Sequence, residues 1–188
     1  MKKIFYGMVA LLLATTMSIN AGERGKFIHV DNSVNKNLKP QIAFCQDRKN
    51  GVDITTLLVQ TVNTNSYFEF TDASRILLRF TNSDKTIRLN RVASSNVKTR
   101  KYTKKNGTAT ITFYETVTEY EVTPEVLQAL TDGEAIVKVR VVFKENDAKD
   151  YEIAEGYQAK MATDLLKSFE EAKEKNAKSN GDMSDEDF

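Results

Sequence analysis

The spacing of apolar residues differs between two regions of the chain. Apolar and polar residues alternate through much of residues 41–143, which is typical of β-strands with one buried face. From residue 155 to residue 177 the period lengthens, and Tyr157, Met161, Leu165 and Phe169 recur every four residues, which predicts one apolar helix face. The fold class predicted is α+β: six or more mainly antiparallel strands form a curved sheet, and the long C-terminal helix packs on its apolar face.

Three segments of the strand region predict hairpins. Residues 41–46 and 52–62 flank a turn that contains Asn50-Gly51, a pair that favours tight hairpin turns. In residues 76–80 and 87–89 the apolar residues alternate, and Phe80 placed opposite Ile87 gives one continuous apolar face.

The third hairpin joins residues 96–103 to residues 109–122 around Asn106-Gly107. A two-residue turn places Tyr102 opposite Ile111 and Lys98 opposite Glu115, whereas a four-residue loop shifts this register, and the sequence does not choose between them. Apolar residues of the second strand occupy both parities, which predicts a bulge within it.

Other elements complete the predicted order. Thr123-Pro124 begins a short helix over 124–131, with Thr123 positioned to cap it, and this helix crosses one end of the sheet. Residues 135–143 form a central strand whose Val137, Val139, Val141 and Phe143 share a face. A short aromatic strand is predicted at residues 67–70, and residues 145–149 are interpreted as a polar loop.

The first 21 residues have the pattern of a cleaved secretory signal peptide, with Lys2 and Lys3 before about eleven mainly apolar residues and Ala21 at the expected cleavage site. That stretch is shorter than the ~20 residues of a membrane-spanning helix. We expect an exported protein, periplasmic or secreted, without a membrane span after cleavage. Residues 22–39 are an N-terminal extension, residues 40–178 a single α+β domain, and residues 179–188 a disordered acidic tail.

Charge and composition exclude several classes of protein. The chain has 27 basic and 26 acidic residues, and loss of Lys2 and Lys3 leaves a net charge of −1, so no basic excess indicates a nucleic-acid partner. One Cys and one His do not supply a tetrahedral zinc site, and neither a metal nor another cofactor is predicted. Cys45 lies in an apolar run and is interpreted as a buried small side chain; the alternative is a reactive thiol.

The candidate catalytic residues do not form a recognisable enzyme pattern. His29 is the only imidazole, and the two Ser-x-x-Lys matches, at Ser33–Lys36 and Ser95–Lys98, lack partner motifs. Three carboxylates of one parity could supply acid–base chemistry, but we expect them to pair with basic residues across the third hairpin. A loose acidic cluster in the tail lacks the spacing of a calcium loop. We predict no catalytic and no metal residue; the carboxylates are Glu115, Glu119 and Glu121, the basic residues Lys98, Arg100, Lys101 and Lys104, and the tail cluster Asp182, Asp185, Glu186 and Asp187.

Several segments together resemble small exported proteins of unknown function that are common in gut Bacteroidales. The matching pieces are the signal peptide, Ile76–Phe80 with Ile87–Leu89, Tyr120–Leu127, and Ile136–Arg140 after Asp132-Gly133. The resemblance covers roughly residues 67–143 and a helical C-terminus. It implies a lineage and a fold, and no catalytic residue.

Two functions therefore stand as hypotheses. The first is a non-enzymatic interaction or accessory module of the cell envelope, whose partner is an unknown protein and whose polar strands and loops form the contact surface. The second is a carrier of a small hydrophobic or lipid ligand held between the sheet and the C-terminal helix. A cavity of ~300 Å³ or more between sheet and helix favours the carrier, and a solid core favours the interaction module.

Overall fold

The computed structural model describes residues 22–31, 38–81, 86–93, 95–106 and 108–181. It confirms the α+β class: a curled antiparallel sheet forms a half-barrel, accompanied by a short helix and a long C-terminal helix. The elements in chain order are β1 (Glu23–Arg24), β2 (Ile28–His29), β3 (Gln41–Lys49), β4 (Val52–Asn63), β5 (Arg75–Phe80), β6 (Thr86–Asn90), β7 (Lys98–Asn106), β8 (Ala109–Glu121), α1 (Pro124–Thr131), β9 (Ile136–Lys144), β10 (Asp147–Glu152) and α2 (Glu155–Gly181).

The strands form two antiparallel sheets that meet at one corner. The larger sheet has the order β1-β3-β4-β8-β7, with β2 also paired to β3, and the smaller has the order β10-β9-β5-β6. Just after β6 the chain continues beside β8, where Arg91 pairs with Tyr120 and the Val92 N–H donates to the carbonyl of Glu119 at 2.9 Å. This short junction links the sheets into the half-barrel, whose interior is the main hydrophobic core.

The first hairpin is confirmed, with a longer first strand than predicted. β3 pairs with β4 from Gln41 opposite Gln60 to Lys49 opposite Val52, so the turn consists of Asn50 and Gly51. Both turn residues have positive φ, 54° and 78°, as a type I′ turn requires.

The second hairpin exists, but its predicted register is wrong. Leu78 lies opposite Ile87 and Ile76 opposite Leu89, a shift of two residues from the prediction, and residues 82–85 lie outside the described residues. A shift of two leaves every side chain on the same face, so the hydrophobic pattern does not distinguish these registers. Phe80 instead pairs with Ile136 of β9.

The third hairpin takes a register that the two-residue turn around Asn106-Gly107 does not give. Asn106 pairs with Ala109, which sets Tyr102 opposite Phe113 and Lys98 opposite Val117. The predicted bulge in β8 is wrong, because the described pairs of β8 with β4 and β7 run in unbroken register. Apolar residues occupy both parities since both faces of this sheet bury side chains, in the main core and in a smaller outer cluster of Cys45, Leu58 and Val117 with Phe27.

Helix α1 has the predicted bounds but not the predicted cap. Pro124 occupies its first turn, while the Thr123 side chain makes no capping hydrogen bond and its buried hydroxyl has no hydrogen-bond partner among the described residues. Gly133, at φ 80°, ends the helix, and the Glu134 N–H donates to the carbonyl of Ala129.

Strand β9 differs from its predicted pattern at one point. A register shift against β5 brings Phe80 opposite Ile136, so Ile136 is fully buried together with Val139 and Val141, while Val137 is only half-buried. The interpretation of residues 145–149 as a loop is wrong, because Asp147 begins strand β10 after a tight turn.

The aromatic strand predicted at residues 67–70 does not form. These residues lie outside the strands, and they hold aromatic rings against the end of β9. Phe68 stacks on Phe143 with ring centroids 4.3 Å apart, and Phe70 meets the same ring edge-on at 5.3 Å. Burial of the rings, not strand pairing, accounts for the apolar composition of this segment.

Helix α2 covers the edge of the larger sheet and seals the core. Met161 and Leu165 from the predicted stripe are fully buried, and the ring of Phe169 packs edge-on against Phe44 at 5.4 Å. The helix also buries Ser168 and Asn176, two polar residues that the stripe does not predict.

Both ends of the domain differ from the sequence boundaries. Residues 22–29 contribute β1 and β2, which pair with β3, so part of the N-terminal extension belongs to the sheet. Residues 179–181 are the last residues of α2, whereas the signal peptide and residues 182–188 of the predicted tail lie outside the described residues. Neither α1 nor α2 combines the length and apolar composition of a helix that crosses a bilayer.

Candidate functional site

The three carboxylates of β8 do not form one group with the basic residues of β7. Arg100 lies opposite Glu115, as cross-strand charge pairing predicts, although Glu115 was expected opposite Lys98 in one of the two registers. Glu119 and Glu121 pair with Leu58 and Thr56 of β4, on the opposite edge of their strand. The strand therefore splits the predicted cluster into a basic region toward the hairpin tip and an acidic region near α1.

The basic region is a two-stranded arm. The last pair between β4 and β8 is Asn63 with Tyr114, so residues 109–113 have β7 as their strand partner among the described residues. We call residues 100–106 and 108–113 the β-arm. No Asp or Glu occurs between Lys98 and Tyr114, and Lys101, Lys104 and Lys105 are exposed. The arm therefore presents a locally positive surface on a chain whose overall charge is close to zero.

Aromatic rings lie among these cations. Tyr102 stacks on Phe113 with centroids 5.3 Å apart and an interplanar angle of 16°. The guanidinium of Arg100 and the ammonium of Lys104 lie 5.0 and 5.6 Å from the Tyr102 ring, and Lys101 lies 5.5 Å from the ring of Tyr114. At exposed sites such contacts contribute ~0.5–1 kcal/mol each, which favours these orientations of the basic side chains.

The acidic region is a cavity of about 580 Å³ on the outer face of the larger sheet. The ends of β3, β4 and β8, the segment after β6 and the start of α1 form its wall. We call it the acidic cavity; its described lining comprises Gly22, Cys45, Asp47, Lys49, Asp53, Ile54, Thr55, Thr56, Val92, Ser95, Glu119, Glu121, Val122, Pro124 and Leu127.

A hydrogen bond fixes one carboxylate of this cavity. The Thr56 hydroxyl donates to Oε1 of Glu119 at 2.7 Å, and Glu119 is half-buried while Glu121 is exposed. Lys49 Nζ lies 3.6 Å from Oδ2 of Asp47, and Arg48 Nε lies 3.8 Å from Oδ1 of Asp53. Asp47 and Asp53 thus have basic neighbours along their own hairpin, and Asp53 also accepts a hydrogen bond from the Asn176 side chain of α2 at 3.2 Å. The Thr56 hydroxyl fixes one oxygen of Glu119.

Cys45 is buried, as its apolar surroundings predict, with 2% of its surface exposed. Burial, and next the nearby carboxylates of Glu119 and Asp47, raise the pKa of the Cys45 thiol to about 12. A thiol with so high a pKa is protonated near neutral pH, which opposes nucleophilic chemistry.

The other candidate residues are dispersed. His29 lies in β2, half-buried, where its carbonyl accepts a hydrogen bond from the Tyr157 hydroxyl of α2 at 3.0 Å. Ser95 lines the acidic cavity, whereas Ser33–Lys36 and the acidic tail lie outside the described residues. Within the described ranges, no three His, Cys, Asp or Glu side chains are placed to hold a metal ion.

The space between the sheet and α2 is filled by side chains. Met161, Leu165 and Ser168 of the helix, and Phe44 of the sheet, are at most 1% exposed. The cavities on the described surface include the acidic cavity, one beside α1, and one on the outer face of β5 and β9. No residue of α2 lines any of these three.

No protein-family model, curated protein or solved structure matches the chain.

The sequence predicts the charged residues of the third hairpin but not their division between two regions. The β4–β8 pairing that separates the basic residues from Glu119 and Glu121 joins residues about 60 positions apart. Asp47, Ile54 and Leu127 carried no sequence signal for a shared site, because only the sheet and α1 together place them around one cavity.

Proposed function

We propose that this chain is a non-enzymatic interaction module of the cell envelope, exported by its N-terminal signal sequence and related in lineage to the small Bacteroidales proteins that it resembles. The observation that carries the proposal is the β-arm, which extends past β4 and holds basic and aromatic side chains without an acidic residue. The proposed partner is a protein with an acidic surface.

Charge supports an acidic partner. Four basic residues lie on the arm, and contacts with Tyr102, Phe113 and Tyr114 pre-orient three of them. Electrostatic complementarity accelerates association and selects against partners of like charge. Rigid aromatic rings add contact area at low cost in conformational entropy.

The arm's backbone supports a protein partner over a small molecule. β7 is the last strand of the larger sheet, so one edge of its backbone has no strand partner among the described residues. An extended segment of another protein can add to such an edge through main-chain hydrogen bonds. Lysines on an edge strand oppose pairing between two copies of the same chain, because their charges repel. A partner strand with acidic side chains is therefore the favoured addition to the β7 edge.

The packing of α2 supports the interaction module over the carrier. A carrier needs room for a hydrophobic ligand between sheet and helix, and there the described side chains are packed tightly. The acidic cavity lies on the other face of the sheet and its lining includes the carboxylates of Asp47, Glu119 and Glu121, so it does not suit a purely hydrophobic ligand.

Native mass spectrometry of the protein purified from its own host tests the proposal. We expect a complex with a second protein that dissociates as salt is raised, because the exposed charges of the arm are screened by salt. A retained lipid, without a protein partner, would support the carrier instead.

Matched charge reversals locate the contact. Lys104→Glu on the arm should weaken the complex, and Lys167→Glu on the exposed face of α2 changes the net charge equally and should leave it intact. Equal loss of binding in both variants would mean that net charge, and not the arm, controls association. Unchanged binding in both would refute the arm as the contact surface.

A further inference from the structure

The lining of the acidic cavity combines two kinds of side chain. The charged ones are the carboxylates of Asp47, Glu119 and Glu121 and the ammonium of Lys49, whereas the carboxylate of Asp53 accepts a hydrogen bond from Asn176 of α2. The apolar ones are Ile54, Val92, Val122, Pro124 and Leu127. Such a combination fits a ligand that has a positive group at one end and an apolar part at the other.

The cavity is of a size for an organic ligand. Its volume of about 580 Å³ lies within the range of ~300–1,000 Å³ typical of small-molecule sites. A bare metal ion would need several carboxylates converging on one point, and no three acidic, His or Cys side chains of the described ranges do so. The carboxylates are instead spread along the wall, where they can act on a larger cation.

Two carboxylates of the cavity interact with a buried residue of its wall. Cys45 lies in the wall, only 2% exposed, and the carboxylates of Glu119 and Asp47 add to burial in raising its pKa. These carboxylates are thus close enough to one another's surroundings to act on the same part of the wall. An anion that entered would meet the field of these carboxylates, whereas a cation would be attracted.

We propose that the acidic cavity binds a small organic cation, an ammonium or guanidinium group carried on a short apolar chain. Glu119, held by the Thr56 hydroxyl, and Glu121 at the exposed rim are the carboxylates that receive the positive group. The apolar chain lies against Ile54, Val122 and Leu127. This site is distinct from the β-arm, which carries the opposite charge and takes the protein partner.

The structure assigns the two glutamates different roles. Glu119 is pre-oriented, because the hydrogen bond from Thr56 fixes one carboxylate oxygen, while the second has no hydrogen bond from the described residues. Glu121 is exposed and adds attraction at the entrance. Loss of the Glu119 charge should therefore weaken binding more than loss of the Glu121 charge.

Three probes of equal chain length test the site by isothermal titration calorimetry of the purified protein: hexylammonium, hexanol and hexanoate. We expect hexylammonium to bind at least about tenfold more tightly than hexanol, and hexanoate not to bind. Tenfold excess of Mg²⁺ should leave hexylammonium binding largely unchanged. Equal affinity for hexylammonium and hexanol would overturn the proposal, since the carboxylates would then make no contribution.

Isosteric variants distinguish the contribution of the cavity carboxylates to affinity from the contribution of general surface charge. Glu119→Gln keeps an oxygen that can accept from Thr56, so the fold should persist, and it should lower hexylammonium affinity about tenfold. Glu145→Gln, an exposed carboxylate in the turn after β9, removes the same charge elsewhere and should not change affinity. A circular dichroism melt of each variant checks folding, and unchanged affinity in folded Glu119→Gln would refute the site.

The test is independent of the arm. Lys104→Glu, which should disrupt the protein complex, should still bind hexylammonium like the unmodified chain. Loss of hexylammonium binding in Lys104→Glu would contradict the separation of the two sites, while failure of the protein complex alone would leave the cavity result standing.

Discussion

The hydroxyl of Ser168 on α2 accepts a hydrogen bond from the backbone N–H of Phe44 on β3, at 3.2 Å and fully inside the protein. The backbone N–H of Phe44 needs this acceptor because strand pairing along this edge of β3 is interrupted between β1 and β2, where Gly25 lies. A Cβ at Gly25 would come within 1.8 Å of the Ser168 carbonyl oxygen, so only glycine permits this approach. The helix thus completes the edge of the sheet.

Replacement of Ser168 by alanine tests this contact. The variant leaves the buried Phe44 N–H without its acceptor, which should lower the free energy of unfolding by about 1–3 kcal/mol. Urea denaturation measures the loss. Thr163→Ala, on the exposed side of the same helix, is the matched control and should change stability by less than about 0.5 kcal/mol.

Substitution of two glycines by alanine distinguishes the effect of backbone strain from the effect of steric clash with an added side chain. Nothing lies within 4 Å of a Cβ built at Gly51 or at Gly156, but Gly51 has φ 78° in the hairpin turn and Gly156 is helical. Gly51→Ala should destabilise the protein by about 1 kcal/mol. Gly156→Ala should stabilise it by up to about 1 kcal/mol, since alanine is the better helix former. Thermal melts of both variants measure the difference, and destabilisation of similar size at both positions would contradict this account.

The elements of the fold were predictable where local rules decide them. The Asn50-Gly51 turn, the start of α1 at Pro124 and the apolar stripe of α2 each depend on residues close together in the chain. Register was not predictable in the same way. The second hairpin shifts by two residues without moving any side chain to the other face, so alternation gives no information on the choice.

The missed features depend on contacts between distant segments. Strand β10 has a polar sequence, and it is held by pairing with β9 and by charge contacts such as Lys138 with Asp150 and Glu152. The lining of the acidic cavity likewise comes from six parts of the chain, which lie between Gly22 and Leu127. Its glutamates were visible in the sequence, but their distance from the basic arm follows only from how β8 pairs on its two edges.

Helix α2 should be essential for folding. Its buried Met161 and Leu165 lie against the core, and burial of such side chains stabilises by ~1.5–3 kcal/mol each, in a domain of total stability ~5–15 kcal/mol. Deletion of residues 155–177 should therefore abolish the cooperative thermal transition. A retained transition at the same temperature would show that the half-barrel is stable alone.

A point substitution tests the same interface without removing the helix. Leu165→Ala should lower the free energy of unfolding by about 2–5 kcal/mol, because it leaves a void between α2 and the sheet. Lys167→Ala, two residues away and exposed, should have an effect below about 0.5 kcal/mol. Urea denaturation of the two variants gives the comparison.

Cys45 should make the protein less stable at alkaline pH. Its pKa is raised from 9.0 to about 12 by burial and by the carboxylates of Glu119 and Asp47, so above pH 9 the unfolded chain loses this proton while the folded chain keeps it. The stabilisation that the protonated thiol provides is complete below pH 9 and is lost progressively between pH 9 and 12. From pH 8 to pH 10 the loss should be about 1 kcal/mol, at 1.36 kcal/mol for each unit of difference.

The difference between the unmodified chain and Cys45→Ala isolates this effect. Burial also raises the pKa of Tyr120, Tyr151 and Tyr157, so both chains should lose stability above pH 10. Only the unmodified chain should carry the additional loss between pH 8 and 10, measured by urea denaturation under reducing conditions. Identical pH profiles for the two chains would show that the Cys45 thiol titrates alike in the folded and unfolded states, and would contradict this prediction.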